Sequence, residues 1–131
     1  VVDDEVNITR ALTRLLRREG YRVLSANDPL EAFDLLALHP VEVIVSDQRM
    51  PGMTGTELLS RVKDLYPDVV RIVLSGYTDL ATITEAVNRG WIYKFLTKPW
   101  EDEALRAEVR EAFEHKRRQQ QKAEGGTREG G

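Results

Sequence analysis

Asp3, Asp4, Asp47, Ser75 and Lys98 are the residues whose types and positions could act together chemically. Each lies at the polar end of a short apolar run: VVDDE, VIVSD, RIVLSG and KFLTKP. Runs rich in Val, Ile and Leu read as buried parallel strands. In an open α/β sheet, ligands bind just past the carboxyl ends of the strands. Three carboxylates, a hydroxyl and an ammonium are therefore expected at one sheet edge. Clustered carboxylates without basic neighbours suit a hard divalent cation such as magnesium. A hydroxyl and a lysine suit phosphoryl oxygens. The combination implies phosphorylation of an aspartate.

The elements that must position these groups alternate strand and helix five times, the pattern of a parallel sheet covered on both faces. The first strand is Val1–Val2. Strands usually have about five or six residues, so residues are expected upstream of Val1. The first helix carries Ile8, Leu12, Leu15 and Leu16 and ends at Gly20. A second strand is expected over Tyr21–Ser25. Asp28 and Pro29 then suit the cap and first position of a helix striped by Leu30, Phe33, Leu36 and Ala37. Val41–Ser46 reads as the third strand, and DQRMPGMTG (47–55) as a loop. Thr54 or Thr56 can cap the third helix, with Leu58, Leu59, Val62 and Leu65. Val69–Ser75 is the fourth strand. The fourth helix carries Leu80, Ile83, Ala86 and Val87 and stops at Gly90. Trp91–Leu96 is the fifth strand. A last helix starts near Glu101, carries Leu105, Val109 and Phe113, and is expected to reach about Gln121. EGGTREGG (124–131) reads as a flexible tail.

Composition narrows the function class. The 131 residues are 41% hydrophobic and 31% charged, enough for the core of one domain. No apolar run approaches the roughly eighteen residues of a membrane span, and no signal peptide is visible. A cytoplasmic location is expected. There is no cysteine, hence no thiol chemistry, and the separated His39 and His115 make no zinc site. The net charge is −3, with +2 on residues 114–131 and −5 on the rest. An acidic body argues against a direct nucleic-acid surface. The KRR at 116–118 reads first as a solvated helix end favoured by the macrodipole.

Over residues 1–115 the chain resembles the receiver domain of bacterial two-component response regulators. The motifs that carry the resemblance are the acidic pair Asp3-Asp4, the strand-ending Asp47, Ser75, Lys98-Pro99, and Phe95 three residues before the lysine. It implies a flavodoxin-like (βα)5 doubly wound fold, a five-stranded parallel sheet with helices on both faces, followed by a helix extension and tail over 116–131. It implies that Asp47 accepts phosphoryl from the phosphohistidine of a sensor histidine kinase or phosphotransfer protein. Mg²⁺ would be held by Asp4 and Asp47, by Asp3 through water and by the Arg49 backbone carbonyl. Lys98 and Ser75 would bind phosphoryl oxygens, and Ser75 and Phe95 would form the switch. Arg49 and Tyr77 would flank the phosphoryl group and tune its lifetime. The Lys98–Pro99 bond would be cis. The output surface would be the fourth helix, fifth strand and fifth helix, with a phosphorylation-enhanced homodimer and a fused output domain. DQRMPGMTG with IYKFLTKPW is similar to receivers fused to HD-GYP cyclic-di-GMP phosphodiesterases.

Singly, each residue has an ordinary explanation. Asp3 could cap a helix, Asp47 could sit in a turn, Ser75 could be a satisfied loop hydroxyl and Lys98 a surface lysine. An alternative of another class is a phosphatase of the haloacid-dehalogenase type, which also uses Asp, Ser/Thr, Lys and Mg²⁺. That chemistry needs a second carboxylate two residues after the nucleophile as general acid. Arg49 stands there instead.

Overall fold

The computed structural model describes residues 1–130; the side chains of Tyr77 and residues 124–130, and all of Gly131, lie outside the described residues. Helix α1 spans Val6–Arg17 and α2 spans Pro29–Leu38. Strand β1 (Val43–Asp47) leads to α3 (Gly55–Leu65), and β2 (Val70–Ser75) through a 3-10 turn at Tyr77–Asp79 to α4 (Leu80–Asn88). Strand β3 (Lys94–Thr97) leads to α5 (Asp102–Gly130).

The strands pair in parallel in the order β1-β2-β3. Val2 adds parallel bridges to both Ala26 and Ser46, which places the chain start between the residue 26 segment and β1. The sheet expected to have five strands thus consists of three strands joined by two full ladders, with two bridging segments beside β1. Tyr21–Ser25 forms no ladder, contrary to expectation. Beside it, Val1 N donates to Leu24 O, and Ala26 bonds Val1 O and Asp3 N. The fifth expected strand also begins later than its apolar run suggests, at Lys94 rather than Trp91. The half-buried Arg71 guanidinium accounts for this: it takes the carbonyls of Trp91, Gly90, Pro67 and Val69 as acceptors and holds the approach to β3 as a loop.

Side chains alternate across the sheet. Ile44 and Val73 join α2, α3 and α4 in one core, through Ala32, Leu36, Leu58, Leu59, Val62, Ile83 and Ala86. Val45, Ile72 and Leu74 join α1 and α5 in the other, through Leu12, Leu15, Leu16, Leu105, Val109 and Ala112. This is the doubly wound arrangement, with helices on both faces. The stripe of α2 is shifted from the expected one. Ala32 and Leu36 are buried, while Leu30 is 79% exposed. Asp28 caps α2 by accepting from the Glu31 N–H, with Pro29 in the first position. Gly20 and Gly90 end α1 and α4 at positive φ, 90° and 75°.

α5 includes the helix extension expected from residue 116 and continues to Gly130, past the expected end near Gln121. The flexible tail expected over 124–131 falls on residues whose side chains are outside those described. The 116–118 cations follow the ordinary reading in part: Lys116 donates to the Asp68 carbonyl and Arg118 pairs with Glu111. Among the described residues, no helix is long and apolar enough to cross a membrane.

Candidate phosphoacceptor site

Parallel register brings the polar strand ends to one edge. Asp47 stands beside Leu74, and Ser75 beside Thr97. Backbone bonds tie the exits together: Asp47 N to Val2 O, Gln48 N to Leu74 O and Lys98 N to Ser75 O. Lys98–Pro99 is cis, as expected.

Asp3, Asp4 and Asp47 converge, with one carboxylate oxygen of each lying within 4.8 Å of the others. Asp3 and Asp47 are buried and Asp4 is exposed, so the cluster opens to solvent on the Asp4 side. Three carboxylates are a hard-oxygen donor set, and few protein carboxylates with room for water is the arrangement magnesium favours. The ammonium expected at this edge lies among the carboxylates. Lys98 Nζ lies 2.9 Å from Asp3 Oδ2 and 2.9 Å from Asp47 Oδ1. Its ammonium offsets part of the repulsion that would otherwise separate the carboxylates.

Burial is the largest influence on Asp47 and raises its pKa above the usual 3.8, with Asp3 adding to the rise; the Lys98 contact pulls the other way without cancelling it. For Lys98, burial lowers the pKa, but the bonds from Asp47 and Asp3 together outweigh it and leave the ammonium above its usual 10.5. Lys98 is thus protonated at neutral pH.

Several neighbours fix this geometry, and their residue types alone did not single them out for the site. Asn27 donates to the Asp3 carbonyl and to Thr9 Oγ1, holding the first strand end. Its position at the end of the second apolar run, on the same sheet edge, was the available signal. Gln48 is buried and staples the loop after Asp47 to the start of α3. Its Oε1 accepts from Thr56 N–H at 2.8 Å and its Nε2 donates to Thr56 Oγ1. Thr54 rather than Thr56 caps α3, by accepting from the Glu57 N–H. Gly55 lies so close to the acceptor strand that a Cβ would stand 2.2 Å from the Asp47 carbonyl oxygen.

Arg49 is 72% exposed and pairs with Asp79, donating also to Thr78 Oγ1. It therefore supplies no general acid near Asp47. Tyr77, expected to flank the site with Arg49, has its side chain outside the described residues. Ser75 is buried, and its hydroxyl reaches Gly76 O at 3.1 Å and Asp79 Oδ2 at 3.2 Å. Phe95 is partly buried and packs on the core shared by α2, α3 and α4. Trp100 donates to Asp102 at the start of α5, the helix-start role its position suggests.

The family model for the response regulator receiver domain matches residues 1–110. The hydrogenase transcriptional regulatory protein HoxA of Cupriavidus necator is 48% identical over 114 residues, covering 87% of this chain and 23% of HoxA. The DNA-binding transcriptional regulator NtrC of Escherichia coli is 33% identical over 121 residues, covering 92% of this chain and 26% of NtrC. The solved signal receiver domain of an HD domain-containing protein from Pseudomonas fluorescens Pf-5 is 38% identical with a TM-score of 0.85, covering 92% of this chain and 88% of that one. The chain spans about a quarter of the length of these curated relatives. Sheet order, acidic edge and sequence match agree: this chain belongs to the response regulator receiver domain family.

Proposed function

We propose that Asp47 is the phosphoacceptor of this receiver domain. The observation that carries the reading is Lys98 Nζ at 2.9 Å from both Asp3 and Asp47, within a cluster that Asp4 opens to solvent. One Asp47 oxygen attacks the phosphorus of a phosphohistidine on a kinase or phosphotransfer protein. The O–P bond forms as the P–N bond breaks, and the electron pair leaves with the imidazole, which takes up a proton. Carboxylate is a weak nucleophile, so the domain contributes positioning and charge neutralisation. Lys98 would exchange its bond to Asp47 for one to a phosphoryl oxygen, and Ser75 Oγ would donate to another.

Receiver domains generally bind Mg²⁺ at an acidic pocket, and the hard-oxygen donor set here fits that ion. Asp4 and Asp47, Asp3 through water and the Arg49 backbone carbonyl would hold it. When bound, its charge lowers the repulsion between carboxylate and phosphoryl oxygens. The domain turns over no external substrate in this reading; it catalyses only its own phosphorylation and dephosphorylation. Arg49 in place of a general acid supports that over the phosphatase alternative.

The output belongs to a longer parent protein. Identity of 48% to HoxA supports a transcriptional regulatory output. Likeness to the receiver of an HD domain-containing protein at 38% identity supports an HD-type output, such as an HD-GYP phosphodiesterase, as the second reading.

The test is incubation with acetyl phosphate and Mg²⁺ followed by intact mass measurement. The wild type should gain one phosphoryl group and Asp47→Asn none. Equal labelling of both would overturn the assignment.

A further inference from the structure

Asp79 stands at the N-cap of α4 but does not cap it: its side chain makes no bond to the helix N–H groups. Asp is among the strongest capping residues, so its carboxylate is committed elsewhere. Oδ2 accepts from Ser75 Oγ at 3.2 Å and from Arg49 Nε at 3.2 Å, and Oδ1 accepts from the Arg49 guanidinium at 3.2 Å. Arg49 also donates to Thr78 Oγ1 at 3.1 Å, which fixes the guanidinium against the turn before α4. In its bonds to Arg49 and Ser75 the Asp79 carboxylate is the acceptor.

A serine hydroxyl has a single proton to donate. Phosphoryl oxygens at neutral pH are acceptors, so Ser75 can bind one only by donating that proton. In this structure it is directed at the Gly76 carbonyl and the Asp79 carboxylate. The two uses exclude each other.

We propose that Asp79 is a positioning residue that sequesters the Ser75 hydroxyl in the resting state, so that the phosphoryl group on Asp47 must displace Asp79 to engage Ser75. Arg49, from the loop after β1, clamps Asp79 from the other side. The bonds Arg49–Asp79–Ser75 therefore link the phosphoacceptor loop to the first turn of α4. Breaking the Ser75–Asp79 bond frees that turn to shift, a route from the site to the α4 surface. The proposal rests on the phosphoacceptor reading.

The test is calorimetric titration with beryllofluoride, a phosphoryl mimic, in the presence of Mg²⁺. Wild type, Asp79→Ala, Asp79→Asn, Ser75→Ala and the Ser75→Ala/Asp79→Ala double variant are compared. If the latch is closed in most molecules, opening it should tighten binding by the inverse of the open fraction, about three- to tenfold for Asp79→Ala. Asp79→Asn, which keeps the shape and weakens the acceptor, should move the same way. In the Ser75→Ala background the Asp79→Ala gain should vanish, because no hydroxyl remains to release. Loss of charge repulsion alone would leave the gain intact there. Mg²⁺ affinity without beryllofluoride should be unchanged in Asp79→Ala, whereas general damage to the fold would lower it. The latch is overturned if neither Asp79 variant binds more tightly, or if the gain persists without Ser75. Failure of the wild type to bind the mimic would appear before any variant is compared. It would overturn the phosphoacceptor reading and the latch with it.

Discussion

Asp47 bears two opposed influences, and their balance can be measured. Burial raises its pKa above 3.8, and the Lys98 contact does not fully offset this. The folded chain therefore holds this proton to higher pH than the unfolded chain does. Stability from this group is present at low pH, falls as pH rises through the interval above 3.8, and levels off once Asp47 is ionised in both states. Asp47→Asn removes that cost, while Lys98 keeps Asp3 as a partner at 2.9 Å. Thermal melts without Mg²⁺ should show the variant a few degrees more stable at neutral pH, the scale on which about 1 kcal/mol appears in a domain of this size. The difference should shrink as pH approaches 3.8. A lower melting temperature for the variant at neutral pH would mean that the Lys98 pair outweighs burial. The identities of Asp3, Asp4, Asp47, Ser75 and Lys98 were legible in the sequence because each ends an apolar run. Their resting partners were not. Lys98 lying between two carboxylates and Asp79 turning away from its helix depend on side-chain directions that no periodicity encodes.

At the scale of elements, the acceptor is held in place by the loop and helix on its C-terminal side. The loop after β1 returns to start α3 directly against the acceptor strand. Gln48 and Thr56 exchange hydrogen bonds across that return, and Gly55 supplies the close approach. Gly55→Ala would place a methyl group 2.2 Å from the Asp47 carbonyl oxygen and 3.1 Å from Gln48 Cα, both backbone atoms with little freedom to move. Denaturant unfolding should show a loss of about 1–3 kcal/mol, the usual cost of overpacking. Labelling by acetyl phosphate should fall with it as Asp47 is displaced. Unchanged stability and labelling would show that the loop relaxes freely. Glycine in DQRMPGMTG marks the loop in the sequence, but not which glycine meets backbone. Apolar runs located the helices well and the strands less well. Tyr21–Ser25 and Trp91–Tyr93 have strand composition, yet a strand also needs a neighbour to bond. Tyr21–Ser25 is bonded by Val1 at Leu24, and in Trp91–Tyr93 the Trp91 carbonyl is taken by the Arg71 guanidinium. The stripe of α2 was misplaced for a related reason: several leucines compete for the core, and Leu30 and Leu38 remain outside.

For the whole molecule, the doubly wound order explains how an event at one sheet edge can reach a surface. The residues at the ends of β2 and β3 lead into α4 and α5. Leu80 and Val87 on α4 are 42% and 38% exposed, and Lys94 of β3 pairs with Glu108 of α5. If phosphorylation moves the first turn of α4 and Phe95, this face changes. Sedimentation should then show stronger self-association with beryllofluoride and Mg²⁺ than without. Identical sedimentation in both states would count against coupling through dimerisation. The central claim is narrower: that phosphoryl rests on the carboxylate of Asp47. Borohydride reduces an acyl phosphate to the alcohol, which converts a phosphorylated aspartate to homoserine. After treatment with acetyl phosphate and Mg²⁺, reduction and peptide mass mapping should place homoserine at position 47. Homoserine at another aspartate, or phosphate retained on a hydroxyl or imidazole with position 47 unmodified, would contradict the account.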